Sequence, residues 1–267
     1  MYTQSKIPRV RNAAWRASNR LLADLIPDLH AQFQMLEAGK ADANILLYGL
    51  LSTEHLRAFQ TLIPEKAQLK VITDDEVEVA SMSQLALSSY IDNVEVLLQG
   101  QDLPRGHFDV AFASFLSIRD PGLLTEHWSQ INSHLVSGGQ LIGREFNMRD
   151  FGCFPLSHGF DRFFDLIDRF VHTLPGQIGT GKQLKQRLLS LEYYDIQVTS
   201  KSPFFLSNSQ KKEFGVILEY LGHHLVKNKI ASEEEVVALL LELDVFLKTK
   251  HSLISFPAMF QFKATKI

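Results

Sequence analysis

With 267 residues and 45% hydrophobic content, the chain suits one large α/β domain with a substantial core. A net charge of −3 lacks the basic excess of a dedicated nucleic-acid binder, so nucleic acid is not an expected partner. The single cysteine, Cys153, excludes an internal disulfide and any multi-cysteine metal site, and it fits a reducing, cytoplasmic location. No apolar run is long enough to span a bilayer and no signal-peptide core precedes a small-residue cleavage site, so no membrane partner is expected either.

Residues 1–22 carry Lys6, Arg9, Arg11, Arg16 and Arg20, with no acid before Asp24. Such a start fits a mitochondrial transit segment. It also fits a helix from Arg11 to Leu25 with Trp15, Leu22 and Leu25 facing the core, and the apolar pattern running on into Leu29, Phe33 and Leu36 favours the helix. Next, Ile45-Leu46-Leu47-Tyr48 form a short apolar run that stops at Gly49. Ser52 and Thr53 then precede a helical pattern from Glu54 to Ile63, closed by Pro64. Strand, turn and helix in this order open a doubly wound parallel sheet. A second apolar burst, Leu69–Thr73, ends on Asp74; in such folds an acid at the tip of the second strand commonly holds a ribose.

A helix is predicted over Asp75–Tyr90, with Val79, Met82, Leu85 and Ala86 on one face. Another lies within Ile118–Val136, with Leu124, Trp128, Ile131 and Leu135 at helical spacing. His127 and His134 share a face of it, but nothing nearby supplies a third ligand, so no metal site is expected. Arg144–Gln177 holds Phe146, Phe151, Phe154, Phe160, Phe163, Phe164 and Phe170, alongside Cys153, His158, Asp161 and His172. An aromatic-rich segment with few polar groups suits a small-molecule pocket; a pair of amphipathic helices packed on the sheet explains the same spacing. His158 and His172 are its best proton acceptors near neutral pH.

The stretch Gly176–Lys182 has P-loop spacing as far as its lysine, but Gln183 stands where the metal-binding hydroxyl belongs and no buried strand precedes it. It reads as a turn before a helix over Lys182–Leu191. Asn208–Lys227 is helical, and the adjacent His223 and His224 point to different faces. Ser232 to Glu235 forms a capping box that opens a helix carrying Val236, Val237, Leu240, Leu243 and Phe246. Ser255–Lys266 closes the chain as an alternating strand.

Taken with Asn93–Pro104, Phe108–Ser114 (with its Phe-Asp opening) and Leu135–Ile142 (with its Gly-Gly), the segments from Ala43 onward resemble the class I S-adenosylmethionine-dependent methyltransferases. The resemblance covers roughly residues 40–145 and continues through Glu192–Val198, similar to that family's sixth strand. It implies a doubly wound, Rossmann-like sheet of seven strands, with a helical cap over 1–40, a cofactor half over 43–143, an aromatic lid inserted over 144–181 after the fifth strand, and C-terminal helices and strands over 182–267. It also implies cofactor contacts from Tyr48 and Gly49 in the first turn, from Asp74 on the ribose, from Gln101 or Asp102 on the adenine amine, and from Ser114. Substrate contacts are expected from Arg11 and Trp15 in the cap and from Phe151, Phe154 and Phe160 in the lid, with His158 or His172 as base.

The family's first loop reads Asp-x-Gly-x-Gly-x-Gly. Here Leu47 replaces the acid, Leu51 and Thr53 replace the later glycines, and Gly49 alone remains. A side chain at Leu51 is expected to occupy the volume of the methionine moiety. Three functions follow: methyl transfer from S-adenosylmethionine to a small molecule, a pseudo-methyltransferase serving as a partner subunit, and a repurposed, cofactor-independent pocket. The aromatic insert and the terminal helices offer interfaces for a homo- or hetero-oligomer.

Overall fold

The structure, a computed structural model, describes residues 13–14, 16–18, 20–21, 42–49, 51, 53–62, 64–73, 76–88, 93–116, 124–146, 151–173, 181–201 and 204–267. In chain order its elements are β1 (Asn44–Gly49), α1 (Thr53–Gln60), β2 (Gln68–Thr73), α2 (Glu76–Ser88), β3 (Val94–Leu98), β4 (Phe108–Ser114), α3 (Leu124–His134) and β5 (Leu135–Phe146). They continue with β6 (Gly152–Phe154), α4 (His158–Thr173), α5 (Gly181–Ser190), β7 (Tyr193–Lys201), β8 (Phe204–Phe205), α6 (Asn208–Lys227), α7 (Glu233–Lys248), β9 (Leu253–Phe256) and β10 (Met259–Lys266). The chain divides into two compact units, one of Ala23–Glu145, Thr180–Ser200 and Phe260–Ile267, the other of Met1–Leu22, Phe146–Gly179 and Lys201–Met259.

The first unit is built on a seven-stranded sheet of order β3-β2-β1-β4-β5-β10-β7. β1 runs parallel to β2 and β4, β2 to β3, and β4 to β5. Strands of such a sheet have helices on both faces, so their sequences are continuously apolar rather than alternating. Ile45, Leu46, Leu47 and Tyr48 are accordingly all buried. On one face Ile45 and Leu47 join Leu56, Phe59, Val71 and Phe112 in an apolar cluster. Elsewhere in the unit, Trp128 of α3 lies 5.6 Å from the ring of Phe262 on β10. The predicted helices over 75–90 and within 118–136 are α2 and α3. The single C-terminal strand expected over 255–266 is two strands, because Pro257 has no N–H to carry a ladder onward.

The second unit packs α4, α6 and α7 with a three-stranded sheet of order β6-β9-β8. Phe160, Phe163, Ile167 and Phe170 form the buried stripe of α4 at helical spacing. A reciprocal capping box opens α6, between Ser207 and Gln210. At α7, Ser232 does accept the Glu235 N–H at 3.1 Å, but the Glu235 carboxylate binds Arg162 of α4 at 2.6 Å. Buried Lys211 fastens α6 to the C-terminal end of α7, donating to the Ser252 carbonyl, to Ser252 Oγ at 2.9 Å and to the Thr249 carbonyl at 3.5 Å. Of the predicted N-terminal helix the described residues are helical; Ala14, Ala17 and Leu21 are buried, and Arg20 pairs with Glu213 at 2.6 Å. No helix among the described residues is long and apolar enough to cross a membrane.

Candidate functional site

In an open parallel sheet, ligands bind outside the carboxyl ends of the strands, where the strand order reverses. Here that point lies between β1 and β4, and the last pair in their register is Gly49 with Ser114. Two residues assigned to the cofactor from the sequence therefore stand together. Gly49 adopts φ +119°, and a Cβ there would lie 2.2 Å from the Ser114 carbonyl oxygen. Glycine is demanded by the approach of β4 itself, whether or not a ligand is bound.

Leu51 is buried at 1% exposure and belongs to the apolar cluster with Leu47, Leu56 and Phe59. Its side chain packs with the core residues of β1 and α1. Tyr48, also expected in the cofactor turn, carries its hydroxyl to α3, 2.8 Å from His127 Nδ1 and 3.0 Å from Gln130 Oε1. Gln101 and Asp102 are exposed on the loop that follows β3. Asp74, Arg11 and Trp15 lie outside the described residues.

Beside the Gly49–Ser114 pair the structure places charges that the sequence did not single out. Arg144 and Glu145, near the end of β5, are fully buried. Arg144 Nε donates to Ser114 Oγ at 3.2 Å, and its Nη2 lies 2.7 Å from Nε2 of buried His55 on α1. The guanidinium carbon also stands 4.7 Å from the centre of the Phe115 ring. Burial, reinforced by the Arg144 charge, holds the His55 pKa well below its ordinary value, so the imidazole is neutral and accepts from the guanidinium. Glu145 accepts the Leu116 N–H at 2.7 Å, and the Phe115 N–H donates to the Arg144 carbonyl at 2.9 Å. Phe115 between them sits at φ 50°, a left-handed conformation uncommon for a bulky residue. These bonds tie the tips of β4 and β5 to the first helix. A neutral, buried His55 is an anchor rather than a proton carrier.

The aromatic insert is a packed core in its own right. Phe151 stacks on Phe164 at 4.4 Å and meets Phe256 edge-on at 5.1 Å, and buried Phe160 lies 4.6 Å from Phe164. Phe151 and Phe160, expected at the substrate, turn their rings to other rings of this unit. Phe154, by contrast, is 66% exposed on β6 opposite Leu253. His158 opens α4 and His172 lies in its last turn, both exposed. They lie fourteen positions apart on the helix, about 21 Å along its axis, so they cannot serve one reacting atom together. His172 is already occupied by Asp168, whose carboxylate is 3.4 Å away. Burial pushes the Cys153 thiol up, away from nucleophilic use. Among the described residues no three His, Cys, Asp or Glu side chains gather as a metal site.

No protein-family model matches the sequence, and no curated protein matches it either. Solved structures do. The chain is similar to YcgJ from Bacillus subtilis, with TM-score 0.56 and 13% identity over 89% of this chain and 98% of that one. It is similar to phosphoethanolamine N-methyltransferase 2 of Haemonchus contortus, crystallised with phosphomonomethylethanolamine and S-adenosylhomocysteine, with TM-score 0.52 and 14% identity over 88% of this chain. The chain spans about half of that protein, 52% of its length. A geranyl diphosphate methyltransferase in complex with S-adenosylmethionine matches with TM-score 0.51 and 10% identity, over 93% of this chain and 89% of that one. The fold is that of the class I S-adenosylmethionine-dependent methyltransferases.

Proposed function

We propose that the chain transfers a methyl group from S-adenosylmethionine to a small-molecule acceptor. The observation that carries this reading is the reversal of strand order between β1 and β4, with Gly49 and Ser114 side by side at the strand tips, the place where such sheets bind their ligands. The resemblance assigns the cofactor's parts to residues of this sequence. Exposed Gln101 and Asp102 offer oxygen acceptors for the adenine amine, Asp74 is assigned the ribose hydroxyls, and the backbone after Gly49 the methionine moiety. When bound, the cofactor supplies an electrophilic methyl on a sulfonium centre. What the chain contributes is orientation, which dominates the rate of an in-line displacement, and a base is needed only for an acceptor that must lose a proton. Arg11 and Trp15 remain the candidate acceptor contacts, and an arginine suits an anionic acceptor. A reducing, cytoplasmic setting belongs to the same reading.

One observation favours a second reading, a methyltransferase fold retained as a non-catalytic subunit. The surviving glycine of the first loop is accounted for by the Ser114 carbonyl, so it does not by itself call for a ligand. Calorimetric titration with S-adenosylhomocysteine separates the two. Micromolar binding, about −8 kcal/mol, weakened by Asp102→Ala or Asp74→Ala, supports methyl transfer. Absence of heat at saturating concentrations sinks it in favour of the subunit.

A further inference from the structure

We infer that α7 is a self-association surface, pairing antiparallel with α7 of a second copy about a two-fold axis at Leu241. Three large apolar side chains stand out on this helix: Val237 is 41% exposed, Leu241 64% and Val245 68%. They recur every fourth residue, and with exposed Glu234 and Lys248 they lie within an arc of about 80° of the helix surface. The order along that stripe is acidic, apolar, apolar, apolar, basic, and it is symmetric about its centre. Val237 and Val245 are each four residues from Leu241; Glu234 and Lys248 are each seven.

An antiparallel partner centred on Leu241 therefore sets Leu241 against its own copy, Val237 against Val245, and Glu234 against Lys248, twice each for the outer pairs. This is the self-complementarity that an isologous interface needs, and it is what selects a second copy of this chain over other occupants. A parallel pairing would set like charges against each other at both ends. Lys248 already binds Asp244 of its own helix at 2.6 Å, which holds its ammonium at the edge of the stripe. Beside the stripe runs a groove of about 890 Å³, walled by Val237 and Leu241 and by Val216, Leu240 and Leu247. It gives the partner helix apolar surface on α6 as well as on α7.

The test is sedimentation velocity on the full chain across a micromolar concentration series at low salt. The expected result is a reversible dimer of twice 30.3 kDa. Leu241→Glu places two carboxylates at the axis and should raise the dissociation constant by roughly a hundredfold. Glu234→Lys and Lys248→Glu should each raise it by about threefold to tenfold, while the double exchange restores it, since the outer pairs are then reversed but again opposite in charge. The readout is the dissociation constant, so changes in helix stability from either single exchange do not mimic the result. A wild-type chain that stays monomeric, an undiminished dimer in Leu241→Glu, or a double exchange no tighter than the singles would each overturn the inference.

Discussion

Gly49→Ala tests whether the first loop's glycine serves the fold or a ligand. At φ +119° an alanine suffers backbone strain of ~1–3 kcal/mol. Its methyl would also sit 2.2 Å from the Ser114 carbonyl oxygen, more than an ångström inside ordinary contact. Relief requires β4 to shift at its tip, where Ser114, Arg144 and His55 are bonded in series, and overpacking of that kind costs a further ~1–3 kcal/mol. The sum, roughly 2–6 kcal/mol, lowers the unfolding midpoint by about 5–15 °C for a chain of this size. The assay is thermal and urea unfolding of the ligand-free protein, with S-adenosylhomocysteine titration in parallel. A ligand-free stability equal to wild type, with binding lost, would refute the reasoning, because the glycine would then be reserved for the cofactor and not for β4.

Two further outcomes follow from the same geometry. Leu51→Ala should destabilise by about 2–5 kcal/mol as a core truncation, and Leu51→Gly should not tighten S-adenosylhomocysteine; a gain in affinity on calorimetry would show that the Leu51 side chain obstructs the methionine moiety. His224, pushed down to about 4 from 6.5 by burial and then by His223 and Lys227, stays neutral in the folded chain while the unfolded chain takes up a proton. Stability should therefore fall as pH drops from about 6.5 towards 4, by ~1–3 kcal/mol, and His224→Gln should flatten that part of the urea-midpoint profile; identical profiles for the two proteins would rule the histidine out.

Much of the sheet was legible because parallel strands announce themselves. The runs at Ile45–Tyr48, Leu69–Thr73 and Phe108–Ser114 are unbroken by polar alternation, and each is followed by a turn or helix signal. The helix Asn208–Lys227 was readable to the residue. The resemblance to a known fold ordered these pieces, and the strand order agrees with it. What stayed hidden was whatever depends on partners distant in sequence. Arg144 and Glu145 fall, by sequence, at the start of the insert over 144–181; only the fold brings them to Ser114, His55 and Leu116. The three-stranded sheet was missed because β8 has two residues and β6 three, too few for any period to show. At Ser232 the motif was right and its second half was not, since Arg162 competes for the Glu235 carboxylate.

These hidden residues bear on how the fold tolerates its altered first loop. In the pattern the chain resembles, an acid and three glycines shape that turn; here a leucine replaces the acid and enters the apolar cluster, and Leu51 follows it. Both changes enlarge the core beneath α1, and both remove polar or flexible groups that would have set the turn from within. The Arg144 network then sets it from beside: Arg144 bridges Ser114 at the tip of β4 to His55, two residues into α1, while Glu145 closes the turn after Phe115. A guanidinium removed from water is tolerable only when its donors find acceptors, and neutral His55 and the Ser114 hydroxyl are two of them. The tips of β4 and β5 and the start of α1 are thus held by side-chain bonds where the related pattern relies on backbone freedom. Strand tips held in place beforehand lose little ordering entropy when a ligand binds beside them, so the loss of glycines is compatible with the proposed cofactor site.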